Sequence, residues 1–136
     1  MSEENKVFVD KFFELLVREG RAPEELMNPD FVYHVPGMAP LDVEAVHQRT
    51  SALSAAFSDI SRVQEDMVAE GDKVAFRSKL EMTHTGDFMG VAATGKKISF
   101  TEIGIMRIED GKAAELWAIS DSLGFMQEIG AMASLE

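Results

Sequence analysis

The Asp110-Gly111 pair is the sequence feature that most restricts how this chain can fold. Both residue types tolerate a positive φ, which a two-residue hairpin turn requires, so two antiparallel strands are expected to meet here. A second hairpin sequence, Glu70-Gly71-Asp72-Lys73, separates predicted strands at 61–69 and 74–84. Further strands are predicted at 97–109 and 111–121. The second half of the chain therefore reads as a hairpin-connected antiparallel sheet.

The first half of the chain is predicted to be mainly helical. Apolar residues recur at helical spacing before Gly20, and again from 42 to 58, where Asp42 can cap a long helix. Between these helices the sequence predicts a short helical turn at 23–27 and a strand at 31–35. After Asp121 the apolar period changes from that of a strand to that of a helix, and Gly130 can end this last helix.

Helices segregated from a hairpin-connected sheet are typical of an α+β domain. We expect a cone-shaped half-barrel, in which a strongly curved, mostly antiparallel sheet wraps the long helices and leaves a cavity at its wide end. Residues 1–134 show no linker or internal repeat and are predicted to form a single domain. Leu135 and Glu136 are interpreted as a remnant of an affinity-tag junction.

Composition narrows the classes of partner. The 136 residues are 46% hydrophobic, which is enough for one core, and the net charge of −11 opposes binding to nucleic acid or to anionic membranes. The chain has no cysteine, so disulfides and thiolate nucleophiles are excluded. Its histidines lack the spacing of paired metal ligands, so no metal site is expected. Without a signal sequence or a membrane span, we expect a cytoplasmic protein.

The last predicted strand supplies the main candidate catalytic residue. Counting by twos places Glu115, Trp117, Ile119 and Asp121 on one face, which we expect to line the pocket. Burial beside Trp117 and Ile119 would raise the pKa of Asp121, as suits a general acid and base. The alternative is that Asp121 caps the final helix, which would lower its pKa. Ser122 is an alternative cap that would leave Asp121 free.

Two histidines are candidate catalytic partners of Asp121. His34 precedes a loop with two prolines, and His84 precedes a glycine-rich segment at 86–95 that is predicted to be a mobile flap. Each histidine can orient a substrate carbonyl or tune Asp121. The alternative for both is a structural histidine that bonds to nearby backbone.

The remaining candidates would bind substrate. Glu102 is a possible second pocket carboxylate if its side of the strand, shared with Phe100 and Met106, faces inward; Ile103 and Ile105 compete for that position. Trp117 with Phe88 and Phe100 would form a flat wall for a planar, hydrophobic or aromatic carbonyl ligand. The alternative for Trp117 is core packing.

Several segments resemble the SnoaL-like polyketide cyclases, which belong to the nuclear transport factor 2-like superfamily. The resemblance covers about residues 5 to 130. It is carried by the runs Thr83-His84-Thr85-Gly86-Asp87-Phe88-Met89-Gly90, Ala93-Thr94-Gly95-Lys96-Lys97, Arg107-Ile108-Glu109-Asp110-Gly111-Lys112 and Leu123-Gly124-Phe125-Met126-Gln127-Glu128-Ile129-Gly130, together with Glu115, Trp117 and Asp121.

This resemblance implies a cofactor-independent cyclase or isomerase-type enzyme. Asp121 would abstract a proton and promote an intramolecular aldol ring closure on a polyketide-like carbonyl compound. Met106 and Arg107 stand where several members carry an assisting polar or histidine side chain. The alternatives are a non-catalytic small-molecule-binding protein of the same fold and an epoxide-hydrolase-like enzyme.

The resemblance also implies a homodimer formed through the sheet. Residues that would leave apolar surface on the outer side of the sheet are Ala75, Val68, Leu116, Ala118 and Ile105.

Overall fold

The computed structural model describes residues 2–131 and confirms the predicted α+β class. The helices are α1 (Ser2–Glu19), α2 (Val43–Ala56) and α3 (Ser122–Glu128), with a short 3₁₀ turn at Glu24–Leu26; the strands are β1 (Met27–His34), β2 (Phe57–Glu70), β3 (Lys73–His84), β4 (Lys97–Glu109) and β5 (Lys112–Ser120). No helix in this part of the chain is long and apolar enough to cross a membrane. The tag interpretation of Leu135 and Glu136 lies outside the described residues.

The five strands form one mixed sheet in the order β1-β5-β4-β3-β2. β1 lies parallel to β5, with His34 opposite Trp117, and the other neighbours are antiparallel. The β4–β5 reversal uses Asp110 at φ 53° and Gly111 at φ 74°, as the hairpin pair predicts. β1 begins four residues earlier than predicted and includes Pro29, which an edge strand tolerates because one side of it needs no hydrogen-bond donor.

The inner face of the curved sheet forms the core with α1. Val74 and Phe76 of β3 and Met106 of β4 are buried there against Phe12 and Phe13. Burying a large apolar side chain contributes about 1.5–3 kcal/mol, so this face holds the sheet around the helix. Along β3 the side chains alternate between this core face and a more exposed face.

The alternation of β5 is opposite to the one that a pocket lined by Trp117 requires. Leu116 pairs with Met106 and is buried with Ala118, whereas Ile119 is 57% exposed on the outer face. The prediction that Leu116 and Ala118 lie outside was therefore wrong. Both faces of β5 are apolar, so its own period does not distinguish them; the pairing register with β4 does.

The same register settles the competition on β4. Ile103 and Ile105 are 52% and 41% exposed on the outer face, so Glu102 faces inward with Met106. This placement brings a carboxylate into the interior of the cone.

Candidate functional site

The structure contains a cavity of about 370 Å³, which is within the size range of small-molecule sites. It lies between α2, the segment after β1 and the β5–α3 junction. Tyr33 and Ser120 reach it from the sheet, and Arg49 reaches it from α2. The full lining is Tyr33, Val35, Pro36, Arg49, Ala118, Ile119, Ser120, Asp121, Ser122 and Leu123.

Asp121 lies at this cavity and caps α3. Its Oδ1 accepts a hydrogen bond of 2.9 Å from the Gly124 backbone N–H, so the capping expectation describes its observed contact. Within residues 2–131, no hydrogen bond engages Oδ2. The side chain is exposed rather than buried beside Trp117. Ser122 is not the cap; its hydroxyl donates to the Ser120 carbonyl at 3.4 Å.

Gly124 makes room for the Asp121 carboxylate. A Cβ at position 124 would lie 2.3 Å from Oδ2, which is far inside van der Waals contact. The backbone of Gly124 is not in the left-handed region, so its lack of a side chain serves proximity and not backbone conformation. The carboxylate is therefore positioned by a backbone donor and by an empty volume beside it.

An ion pair lies deeper, on the inner face of the sheet. Arg62 Nη2 donates to Glu102 Oε1 at 2.7 Å, and the two side chains are only 7% and 13% exposed. The Ser120 hydroxyl donates to Glu102 Oε2 at 3.4 Å, which links the pair to the cavity lining. The Arg62 guanidinium also lies 3.7 Å from the centre of the Phe13 ring. The sequence indicated Glu102 but missed Arg62, which sits in a strand of mixed polarity with no motif around it.

Tyr33 connects the ion pair to the cavity. Burial raises the pKa of Tyr33 from 10.0 to about 12, and the Glu102 carboxylate adds to the rise, while Arg49 and Arg62 oppose it. The Arg49 guanidinium carbon lies 5.8 Å from the Tyr33 ring centre. Sequence reasoning missed both residues. The signal that was present is the alternation of β1, in which Tyr33 shares the inward parity of the buried Phe31.

His34 and Trp117 lie on the outer face of the sheet. Their rings stack with centroids 5.2 Å apart, and His34 Nε2 lies 2.7 Å from Glu115 Oε2. The hydrogen bond from His34 lowers the pKa of the Glu115 carboxyl from 4.5, and Arg107 contributes further. His34, Trp117 and Ile119 border an open outer groove of about 580 Å³, and of these three only Ile119 also borders the inner cavity. Trp117 therefore does not share a pocket wall with Asp121, contrary to what the sequence led us to expect, because the strand register places it on the outer face.

His84 is fully buried and holds the glycine-rich segment. Its Nδ1 accepts a hydrogen bond from the Thr94 backbone N–H at 3.3 Å and lies 3.0 Å from the Thr94 hydroxyl, which places the ring proton on Nε2. In the described part of the chain, that Nε2 has no partner. The ring stacks on Phe57 at 5.2 Å. His84 does not line the cavity at Asp121.

The remaining predicted binding residues pack in the interior. Phe88 and Phe100 lie 5.7 Å and 5.3 Å from the ring of Phe125 on α3, where all three pack against a second hydrophobic cluster. Met106 is fully buried in the main core. The structure therefore brings Asp121, Tyr33, Arg49 and Ser120 together at the cavity and leaves these apolar residues in the packing around it.

Comparison with known proteins identifies relatives. The family model of the SnoaL-like polyketide cyclases matches residues 10–129. The aklanonic acid methyl ester cyclase DnrD of Streptomyces peucetius is 31% identical over 107 residues, which span 78% of this chain and 72% of DnrD.

Two solved structures share the fold at lower identity. AclR of Streptomyces galilaeus, a candidate hydroxylase, is 23% identical with a TM-score of 0.90, over 100% of this chain and 87% of its own. An LEH-like epoxide hydrolase of M. tuberculosis is 13% identical with a TM-score of 0.73, over 96% and 92%. These structures support the fold and leave the reaction to be argued from the site.

Proposed function

Because the chain belongs to the SnoaL-like polyketide cyclase family, we propose that it is a cofactor-independent cyclase in which Asp121 acts as general acid and base. The observation that carries this proposal is the Asp121 carboxylate at the 370 Å³ cavity, with Oδ1 held by the Gly124 N–H. Within residues 2–131, Oδ2 makes no hydrogen bond, so it is the oxygen available to a ligand.

The proposed reaction is an intramolecular aldol closure on a polyketide-like carbonyl compound. Asp121 takes a proton from a carbon flanked by carbonyls, and the resulting enolate carbon attacks a second carbonyl carbon of the same molecule. One carbon–carbon bond forms, and the new alkoxide takes a proton from the Asp121 carboxyl. The carboxylate is thereby regenerated without an oxidant or reductant. Such acid–base assistance contributes about 10²- to 10⁴-fold in rate.

Paired substitutions of Asp121 test this role. Asn and Asp are about equally good helix caps, so Asp121→Asn should keep the Gly124 contact and the melting temperature while lowering turnover about 10²- to 10⁴-fold. Asp121→Ala should lose the same turnover and also about 1 kcal/mol of stability. Asp42→Asn is the matched control, since this carboxylate caps α2 by accepting from the Ala45 backbone N–H at 2.9 Å and lies outside the cavity lining.

The assay follows from the relative. Aklanonic acid methyl ester is the first compound to test, because the DnrD relative is named for its cyclisation. Ring closure would be followed by chromatography and mass spectrometry, since the product is an isomer of the substrate. An Asp121→Asn protein with undiminished turnover would refute the acid–base role. A protein that binds cyclase substrates without converting them would support the non-catalytic binding alternative.

The inner ion pair supports a second candidate, an epoxide hydrolase. Such an enzyme must hold a water molecule among several polar groups, and Arg62, Glu102 and Tyr33 gather on the inner face. The readout separates the two proposals: Glu102→Gln would abolish diol formation from an epoxide, whereas Asp121→Asn would abolish ring closure.

We also propose that the outer face of the sheet pairs two copies of the chain. Apolar side chains are exposed there at Ile103, Ile105, Ile119 and Val68. Light scattering should show a dimer that Ile103→Glu converts to a monomer. Val7→Glu, at an exposed position on α1, is the control that should leave the dimer intact. A monomeric wild-type protein would refute the pairing.

A further inference from the structure

Arg49 differs from the other arginines of the described chain. Arg18, Arg21, Arg62, Arg77 and Arg107 each have a carboxylate within 4 Å. Within residues 2–131, Arg49 has none; its contacts are the Met38 sulfur at 3.7 Å and the Tyr33 ring. The chain has a net charge of −11, so an arginine that lines a cavity and pairs with no carboxylate of the described residues is unusual here.

Tyr33 offers a hydrogen-bond donor beside this cation. Within residues 2–131, its hydroxyl makes no hydrogen bond, and the residue lines the same cavity. Because burial raises the pKa of Tyr33 to about 12, the hydroxyl keeps its proton at any physiological pH. A protonated phenol and a guanidinium can both donate hydrogen bonds to one anionic oxygen.

The other charges around the cavity are acidic or already paired. Asp121 lines the cavity, and Glu102 acts on Tyr33 from the inner side, where Arg62 already neutralises it. An anionic ligand would be repelled by Asp121 unless a cation faced it, and Arg49 is the cation of the lining. Because no carboxylate of the described residues pairs with Arg49, its charge is available to an anionic ligand.

We propose that Arg49 and Tyr33 bind an oxygen of the ligand that carries negative charge, so that the cavity selects planar carbonyl compounds with an anionic oxygen. This assignment rests on the proposed function, in which the oxygen is the enolate oxygen formed when Asp121 removes the proton. The pair then stabilises charge that develops during the reaction, which is where binding accelerates it.

Binding of 2-naphthoate and its isosteric amide, 2-naphthamide, tests the proposal without turnover. Both are planar, and only the first carries a charged oxygen. Titration calorimetry should show 2-naphthoate binding wild-type protein about tenfold more tightly than the amide, as expected of a charge-assisted hydrogen bond. Arg49→Gln should abolish the preference, and Tyr33→Phe should reduce it about threefold.

Matched variants keep the result interpretable. Arg77→Gln removes a cation on the outer face and should retain the full preference, and Arg49→Lys, which keeps the charge, should retain part of it. Equal binding of the two compounds to wild-type protein, absence of binding, or a preference that survives Arg49→Gln would overturn the proposal. Asp121→Asn should keep or strengthen naphthoate binding. Full turnover in Asp121→Asn would instead refute the acid–base role and leave the Arg49 result standing.

Discussion

Breaking the Arg62–Glu102 pair should be far more costly than breaking an ion pair on the surface. The two side chains are 7% and 13% exposed and 2.7 Å apart, so each charge is stabilised by the other instead of by water. Removing one partner of such a pair costs about 3–5 kcal/mol, because a charge remains buried without compensation. Glu102→Gln still offers Arg62 an oxygen, so we expect about 3 kcal/mol, or about 10 °C in melting temperature for a chain of this size.

Replacing both partners should reverse most of that loss. In Arg62→Met/Glu102→Met no charge remains, and the thioether introduced at position 62 can pack on the Phe13 ring in place of the guanidinium. We expect stability within about 1 kcal/mol of wild type.

Chemical denaturation at fixed protein concentration measures both effects. The surface control is Asp66→Asn, which breaks the exposed Arg77–Asp66 pair and should leave the midpoint unchanged. The reasoning is refuted if Glu102→Gln costs no more than this control, or if the double variant is less stable than the single one.

Three further predictions concern ionisation and the Asp121 cap. Tyr33 is the only tyrosine, so ultraviolet titration should show its ionisation near pH 12 in the folded protein and near pH 10 in urea. Because burial raises the folded pKa, the contribution of Tyr33 to stability is present below pH 10 and lost as the pH rises toward 12. The His34 hydrogen bond lowers the folded pKa of Glu115, so the contribution of Glu115 to folding stability is present above pH 4.5 and is lost as the pH falls below it. Denaturation curves of Glu115→Gln should therefore lack this loss of stability at acidic pH. Gly124→Ala would place a methyl group 2.3 Å from Asp121 Oδ2, so the carboxylate should be displaced and turnover should fall, although Ala is the better helix former. Unchanged turnover would show that the carboxylate does not need this space.

The fold was predictable because its signals are local. Asp110-Gly111 fixes a turn through its φ angles alone, and the period of β3 assigns Val74 and Phe76 to the core without knowledge of any partner. The capping contact of Asp121 was also predictable, since a carboxylate between a strand and a helix commonly caps that helix. These inferences depend on neighbours in the sequence.

The composition of the site was less predictable because it depends on pairing. The side of β5 that faces inward follows from Leu116 lying opposite Met106, and no pattern within β5 encodes that register. Arg62 and Glu102 are 40 residues apart and meet only when β2, β3 and β4 curve around the core. Arg49 lies on α2, whose helical spacing of apolar residues predicts its buried side but not the cavity that Arg49 lines.

β5 has a further consequence for how this protein can change over generations. Ser120 borders the cavity, Trp117 borders the outer groove, and Ala118 and Ile119 border both, so one thickness of backbone separates the two surfaces. A mutation that widens the cavity by shifting this strand also alters the shape presented outside, one residue away. Lineages that acquire new ligands are therefore expected to vary α2 and the segment after β1, and to leave β5 as the common boundary.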